Sequence, residues 1–170
     1  MAATREFGPL LHILAEAIGQ PGQRRFRLLA MSEQGDTASL WLEKEQLTAL
    51  GEAIQNVLED QGYVYQRMPL DDRGPEPVFP LNAGVEFRLA QLSLGLDRDG
   101  QNLVIIAADG PDEDETATSV TMNLGYRMAS ELGRLISEVV AAGRPPCPLC
   151  SGPIDPSGHV CVKTNGHNPH

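Results

Sequence analysis

The chain has 170 residues, 41% of them hydrophobic and 21% charged, which suits one ordinary soluble domain with a small appendage and excludes collagen-like, disordered and disulfide-scaffold classes. Its 13 basic residues stand against 23 acidic ones, a formal net charge of -10, so a surface that tracks phosphates nonspecifically is not expected. The first nine residues lack a basic start leading into a clean apolar core, and the longest uninterrupted apolar run, residues 103–108, falls far short of the roughly 20 residues needed to span a bilayer. All three cysteines lie after residue 146, an odd number that fits a reducing cytoplasm better than a stapled secreted framework. A cytoplasmic location is therefore expected.

In chain order, residues 10–18 are ambiguous by propensity, but the turn sequence Gln20-Pro21-Gly22-Gln23 that follows favours a strand entering a hairpin. Strands are predicted over residues 24–31 and 37–42. Residues 44–61 carry Leu47, Leu50, Ile54, Val57 and Leu58 at helical spacing, and Gly62 supplies the stop. Residues 69–80 hold Pro69, Gly74, Pro75, Pro77 and Pro80 and read as a connector. Beyond it, residues 85–96 alternate as one strand, Arg98-Asp99-Gly100 supplies a turn, and residues 103–108 form a buried strand. An acidic loop over 111–115 leads to a strand over 118–122. The helical pattern of Leu124, Met128, Leu132, Leu135, Ile136 and Val139 follows, with Asn123 as its cap and Gly143 as its end.

The two stretches share an order of signals. Gly22-Gln23 matches Gly100-Gln101, Ser39 matches Ser119, and Leu50-Gly51-Ile54-Val57 matches Leu132-Gly133-Ile136-Val139, although Phe26-Arg27-Leu28 on Phe87-Arg88-Leu89 offers a competing register. The expected architecture is α+β: a body over 1–143 in which two βββα-like halves, residues 10–62 and 84–143, form a mainly antiparallel sheet core of six strands with two helices. An internal duplication is the economical explanation. By fold analogy the arrangement resembles single-strand nucleic-acid binders of the PUR type, whose surfaces need basic grooves and stacking aromatics. Residues 1–143 hold 11 basic and 22 acidic residues and one tryptophan, so the charge argues against that use.

Residues 144–170 form a separate tail. Cys147 and Cys150 have the C-x2-C spacing of a metal knuckle, and His159 and Cys161 can complete a tetrahedral Cys3His shell if the chain bends at Val160. The soft, closed ligand set selects one structural Zn2+ per chain and leaves no open position for activating water. With Leu149, Ile154, Val160 and Val162 as its only sizeable aliphatics, the tail cannot build a core, and structural zinc, worth roughly 10 to 16 kcal/mol in small peptides, would replace one. A redox dithiol at Cys147-Pro-Leu-Cys150 and unligated thiols are the alternatives, and His167 or His170 could substitute for His159 as ligand.

The stretch Ala142-Gly143-Arg144-Pro145-Pro146-Cys147-Pro148-Leu149-Cys150, the later Asp155-Pro156-x-Gly158-His159-Val160-Cys161 and the Asn165-Gly166 end resemble an uncharacterised bacterial family, domain of unknown function 3090. The early Gly19-Gln20-Pro21-Gly22-Gln23-Arg24-x-Phe26 matches it as well, so the resemblance spans nearly the whole chain. It implies that the Cys-Cys-His-Cys set carries over at Cys147, Cys150, His159 and Cys161. Relatives often have Gly after the second Cys, where this chain has Ser151 and then Gly152. The family supplies no activity.

Other residues have plainer explanations. The acids of 112–115 lack the spaced oxygen ligands of a calcium loop, Glu43 and Glu45 suit a helix start, and Asp71-Asp72-Arg73 lies in the connector. His12, between Leu11 and Ile13, has no second group of matched spacing. Arg25 and Arg27 would share a strand face, as an anion spot or, preferably, as partners of the abundant carboxylates. No phosphate-binding glycine loop, nucleophile elbow or H-E-x-x-H helix is present. The expectation is therefore a noncatalytic binding or adaptor module whose partner is another protein. The alternative is an enzyme with its site between the two halves, and single-stranded nucleic-acid binding ranks below both.

Overall fold

Stretches in which every second residue is apolar make strands that bury one face, and that pattern accounts for most of the body. The computed structural model describes residues 3–20, 22–64, 78–111 and 113–142. Among them the order is β1 (Ala3–Ile18), β2 (Arg25–Ser32), β3 (Thr37–Leu42), α1 (Lys44–Asp60), β4 (Val85–Arg88), β5 (Gln91–Leu96), β6 (Asn102–Ala108), β7 (Thr118–Gly125) and α2 (Tyr126–Ala141). The fold is α+β, with one mixed but mostly antiparallel sheet in the order β4-β3-β2-β1-β7-β6-β5.

Two departures from the expected six antiparallel strands have one cause. β1 begins seven residues earlier than expected, and its two parts serve different neighbours: Ala3 to Pro9 run parallel to β7, while Leu10 to Ile18 run antiparallel to β2. The stretch read as a single strand over 85–96 is likewise two strands. Val85 to Arg88 lie parallel to β3, and Gln91 to Leu96 lie antiparallel to β6. Between them Leu89 N–H donates to the Trp41 carbonyl and Ala90 N–H to that of Ala108, so β4 and β5, at opposite ends of the strand order, are two residues apart in the chain. The sheet therefore curls until its ends meet.

Each bend has a local device. In β1 the register slips between Glu6 and Gly8 and again between Leu10 and His12, which makes Phe7 and Leu11 the extra residues of two bulges. Phe7 turns into the core, Leu11 turns out, and Gly8 takes a φ of 62°, a region costly for any residue with a Cβ. In the other bend the inward positions pass from Val85, Phe87 and Leu89 to Leu92 and Leu94, so the alternation changes phase at Ala90-Gln91.

The second helix starts later than expected. Asn123 and Leu124 remain in β7, paired with Val104 and Leu103, and Gly125 is the N-cap residue. The leucine that suggested helical spacing is a strand residue buried on the inner face. α1 matches its expected span closely. Its N-cap Glu43 donates its backbone N–H to Gln46 Oε1 at 2.8 Å, Glu45 occupies the first turn, and Gly62 follows the C-cap Gln61 with φ 70°.

The core lies between the inner sheet face and the two helices. Leu28, Leu40, Ile105 and Met122 from the sheet and Leu47, Leu50, Leu132 and Ile136 from the helices are all almost fully buried. Each such side chain contributes about 1.5–3 kcal/mol by leaving water. The helices pack on each other and then crosswise, α2 against β1 and α1 against β5. At their crossing Ile136 sits over Gly51 and Ile54 over Gly133, a reciprocal arrangement of one branched side chain per glycine.

Candidate binding face

A strand that buries every second residue must show the alternate ones outward, and on β1, β2 and β3 those are not ordinary surface residues. Register puts Glu16, Arg27, Trp41 and Arg88 side by side on one rung, and Leu14, Leu29, Ser39 and Glu86 on the next. The Arg25 guanidinium lies 4.2 Å from the centroid of the Trp41 ring and that of Arg27 lies 5.2 Å from it, so the indole is flanked by two cations. Arg27 Nε also pairs with the Glu16 carboxylate, while Arg88 Nη2 reaches Glu43 Oε1 at 2.6 Å in solvent. Arg27 thus has a carboxylate partner, as the sequence favoured. Arg25 stacks on an aromatic ring instead.

Beside this stack is a hollow of about 470 Å³, lined by Leu14, Glu16, Arg27, Leu29 and Ser39 on the sheet and by residues 78–81 and Ala83 of the segment before β4. Ser39 is only 2% exposed, and among the described residues its hydroxyl has no hydrogen-bond partner; the Arg24 Nε is likewise enclosed and unpartnered among them. Such a buried orphan ordinarily costs about 1–3 kcal/mol. Smaller hollows of about 300 and 390 Å³ flank the helix crossing, both touching Gly51 and Gln55. Another, of about 230 Å³, lies by the first β1 bulge, between Phe7 and Thr37.

Among the described residues, two carboxyl groups are displaced from their ordinary behaviour, both in turns. The Asn102 side-chain amide, assisted by backbone N–H groups including those of Gln101 and Asn102, holds Asp97 below the usual carboxylate range. Hydrogen bonds from the hydroxyl and backbone N–H of Thr116 do the same for Asp114, which places that member of the acidic loop in a turn-stabilising role. His12 is half-buried on β1, beside the second bulge.

The expected zinc ligands Cys147, Cys150, His159 and Cys161, with His167 and His170, lie outside the described residues, as does most of the connector. Among the described residues no group of three or more potential metal ligands comes together. None of their helices is long and apolar enough to cross a membrane.

Comparison with known families settles what kind of chain carries this face. The chain belongs to the family described as Protein of unknown function (DUF3090). The match covers residues 5–161, from the parallel part of β1 to Cys161. No curated protein and no solved structure matches. Trp41 and Ser39 were the residues that sequence reasoning passed over. Their signal was spacing: both fall on the alternate, outward positions of β3, and register carries them to the arginines of β2.

Proposed function

We propose that this member of the family is a noncatalytic binding module of the cytoplasm, in which the outer face of β1–β3 receives a partner protein and a Cys3His zinc site holds the tail. The observation that carries the reading is the Arg25–Trp41–Arg27 stack. Tryptophan and arginine dominate the energetics of protein interfaces, because a large flat ring and a guanidinium bury much area at little entropic cost. Here they sit on a chain with a formal charge of -10, so the local surface is set apart from its surroundings. For the tail, three thiolates and an imidazole form a closed set suited to zinc, and a reducing compartment keeps the thiols available for it. The repeated rungs of the two halves are consistent with a duplicated unit whose copies took on different surface roles.

Two measurements test this. Metal analysis of protein purified without a histidine tag should give about one zinc per chain, and none when Cys147→Ser and Cys150→Ser are combined. Quantitative crosslinking in cells should recover a partner with the unaltered chain and lose it with Trp41→Ala plus Arg25→Ala, while Asn123→Ala on β7, in the other half of the sheet, leaves it in place. Recovery unaffected by the Trp41 and Arg25 changes would overturn the binding face, and zinc-free protein would overturn the tail.

A further inference from the structure

We propose that the hollow beside the stack is a binding site for an aliphatic carboxylate. Its floor is apolar, with Leu14 and Leu29 projecting from the sheet, and its rim carries Val78 and Leu81, which stand 85% and 102% exposed. Two large aliphatic side chains held in water at the mouth of a hollow of about 470 Å³ mark a place where an apolar chain gains by lying down. The polar features fix which end of a ligand goes where. Arg27, which lines the hollow, gives its Nε to Glu16, and among the described residues its two terminal nitrogens have no hydrogen-bond partner and remain available to an anion. Arg25, stacked on the same indole, has no carboxylate partner among the described residues and adds a second positive charge nearby. Ser39 supplies a buried donor without a hydrogen-bond partner among the described residues.

A carboxylate answers this set: one oxygen on the Arg27 guanidinium, the other accepting from the Ser39 hydroxyl, and the chain along Leu29 toward Leu81. The matching place in the β5–β7 half of the sheet lacks this chemistry. Ser93, Ile106 and Thr121 stand where Leu14, Leu29 and Ser39 stand in the β1–β4 half, and no arginine adjoins them on the neighbouring rung of Gly95, Val104 and Asn123. This inference does not depend on the partner protein proposed above, because the ligand meets the chain alone.

Trp41 is the single tryptophan and is paired with Arg27 of the hollow, so its fluorescence is the probe nearest the site. Decanoate, kept below its micelle concentration, is titrated into the full chain, with calorimetry for stoichiometry and decanol as the uncharged control. Expected is saturable binding of one decanoate per chain, at least tenfold tighter than decanol. Ser39→Ala, which removes the orphan hydroxyl without disturbing packing, should weaken decanoate about fivefold, the equivalent of one hydrogen bond. Leu81→Asp, at a fully exposed position, should abolish binding while leaving thermal unfolding unchanged. A linear, unsaturable response, equal affinity for decanol, or decanoate binding unchanged in both variants would each overturn the site.

Discussion

Leu28 and Leu40 occupy the same rung in the β1–β4 half of the sheet that Ile105 and Met122 occupy in the β5–β7 half, and all four are almost completely buried. One rung along, facing outward, the correspondence in kind disappears: Glu16, Arg27, Trp41 and Arg88 in the first half stand against Gly95, Val104, Asn123 and Pro9 in the second. Inner positions are constrained by volume and exclusion of water, so two copies of one architecture converge on aliphatic residues there. Outer positions carry no such constraint. A difference as large as an arginine–tryptophan stack against small neutral side chains therefore marks surface chemistry beyond what holding the fold requires.

The comparison rests on the halves being equivalent inside and inseparable, and the most damaging substitutions test that first. Leu28→Ala and Ile105→Ala should each lower stability by about 2–5 kcal/mol, and each should give a single unfolding transition by both heat and denaturant, because either half lends a strand segment to the other's ladder. Two separate transitions would break the equivalence. The helix crossing gives a finer test. A Cβ on Gly51 would fall 2.9 Å from the Ile136 Cγ2, a branched methyl with little rotameric freedom, whereas one on Gly133 would meet Ile54 Cγ2 at an ordinary 3.5 Å. Gly51→Ala should destabilise by about 1–3 kcal/mol. Gly133→Ala should be neutral or stabilise by up to about 1 kcal/mol, through helix propensity, in the same denaturation assay.

Smaller effects separate the outer faces and the turns. Trp41→Ala should cost about 0.5–1 kcal/mol through the lost cation–π contacts, and Asn123→Ala on the matching rung should cost nothing measurable in parallel melts. The hairpin of the second half is fastened by Asp97, whose carboxyl is held below its ordinary value of 3.8 chiefly by the Asn102 side chain. A lowered folded-state value means that this contribution is fully present above the unfolded value and is lost as pH falls through the folded one. A carboxyl NMR titration should place Asp97 below 3.8, and Asn102→Ala should return it toward that figure.

Most of the inner architecture could be read from the residues alone. β3 falls on its expected span and α1 closes within a residue of its own, because the apolar periodicity that burial imposes marks both elements. What was hidden lay where one stretch of chain serves two neighbours. The break at Leu89-Ala90 carries no proline or glycine, and its only trace is a change of alternation phase that a single-strand reading averages away. The β1 bulges hide for the same reason: Phe7 and Leu11 are both apolar, one inside and one outside. Leu124 misled because three residues of strand entering a helix can mimic helical spacing. The candidate face was half legible. Arg25 and Arg27 could be placed on one side of a strand, but their meeting with Trp41 is a matter of register between strands, which the local pattern does not encode.

The parallel pairing of Ala3 to Pro9 with β7 also governs the order in which the molecule can be completed. Those residues leave the ribosome more than a hundred residues ahead of the strand they need, which ends at Gly125. Until that strand is made Phe7 waits without its cavity, and a newborn chain must keep this segment from sticking elsewhere. Closure is thus a late event, slow by the logic of distant partners, and this segment is where the nascent molecule is most exposed to chaperone or mishap.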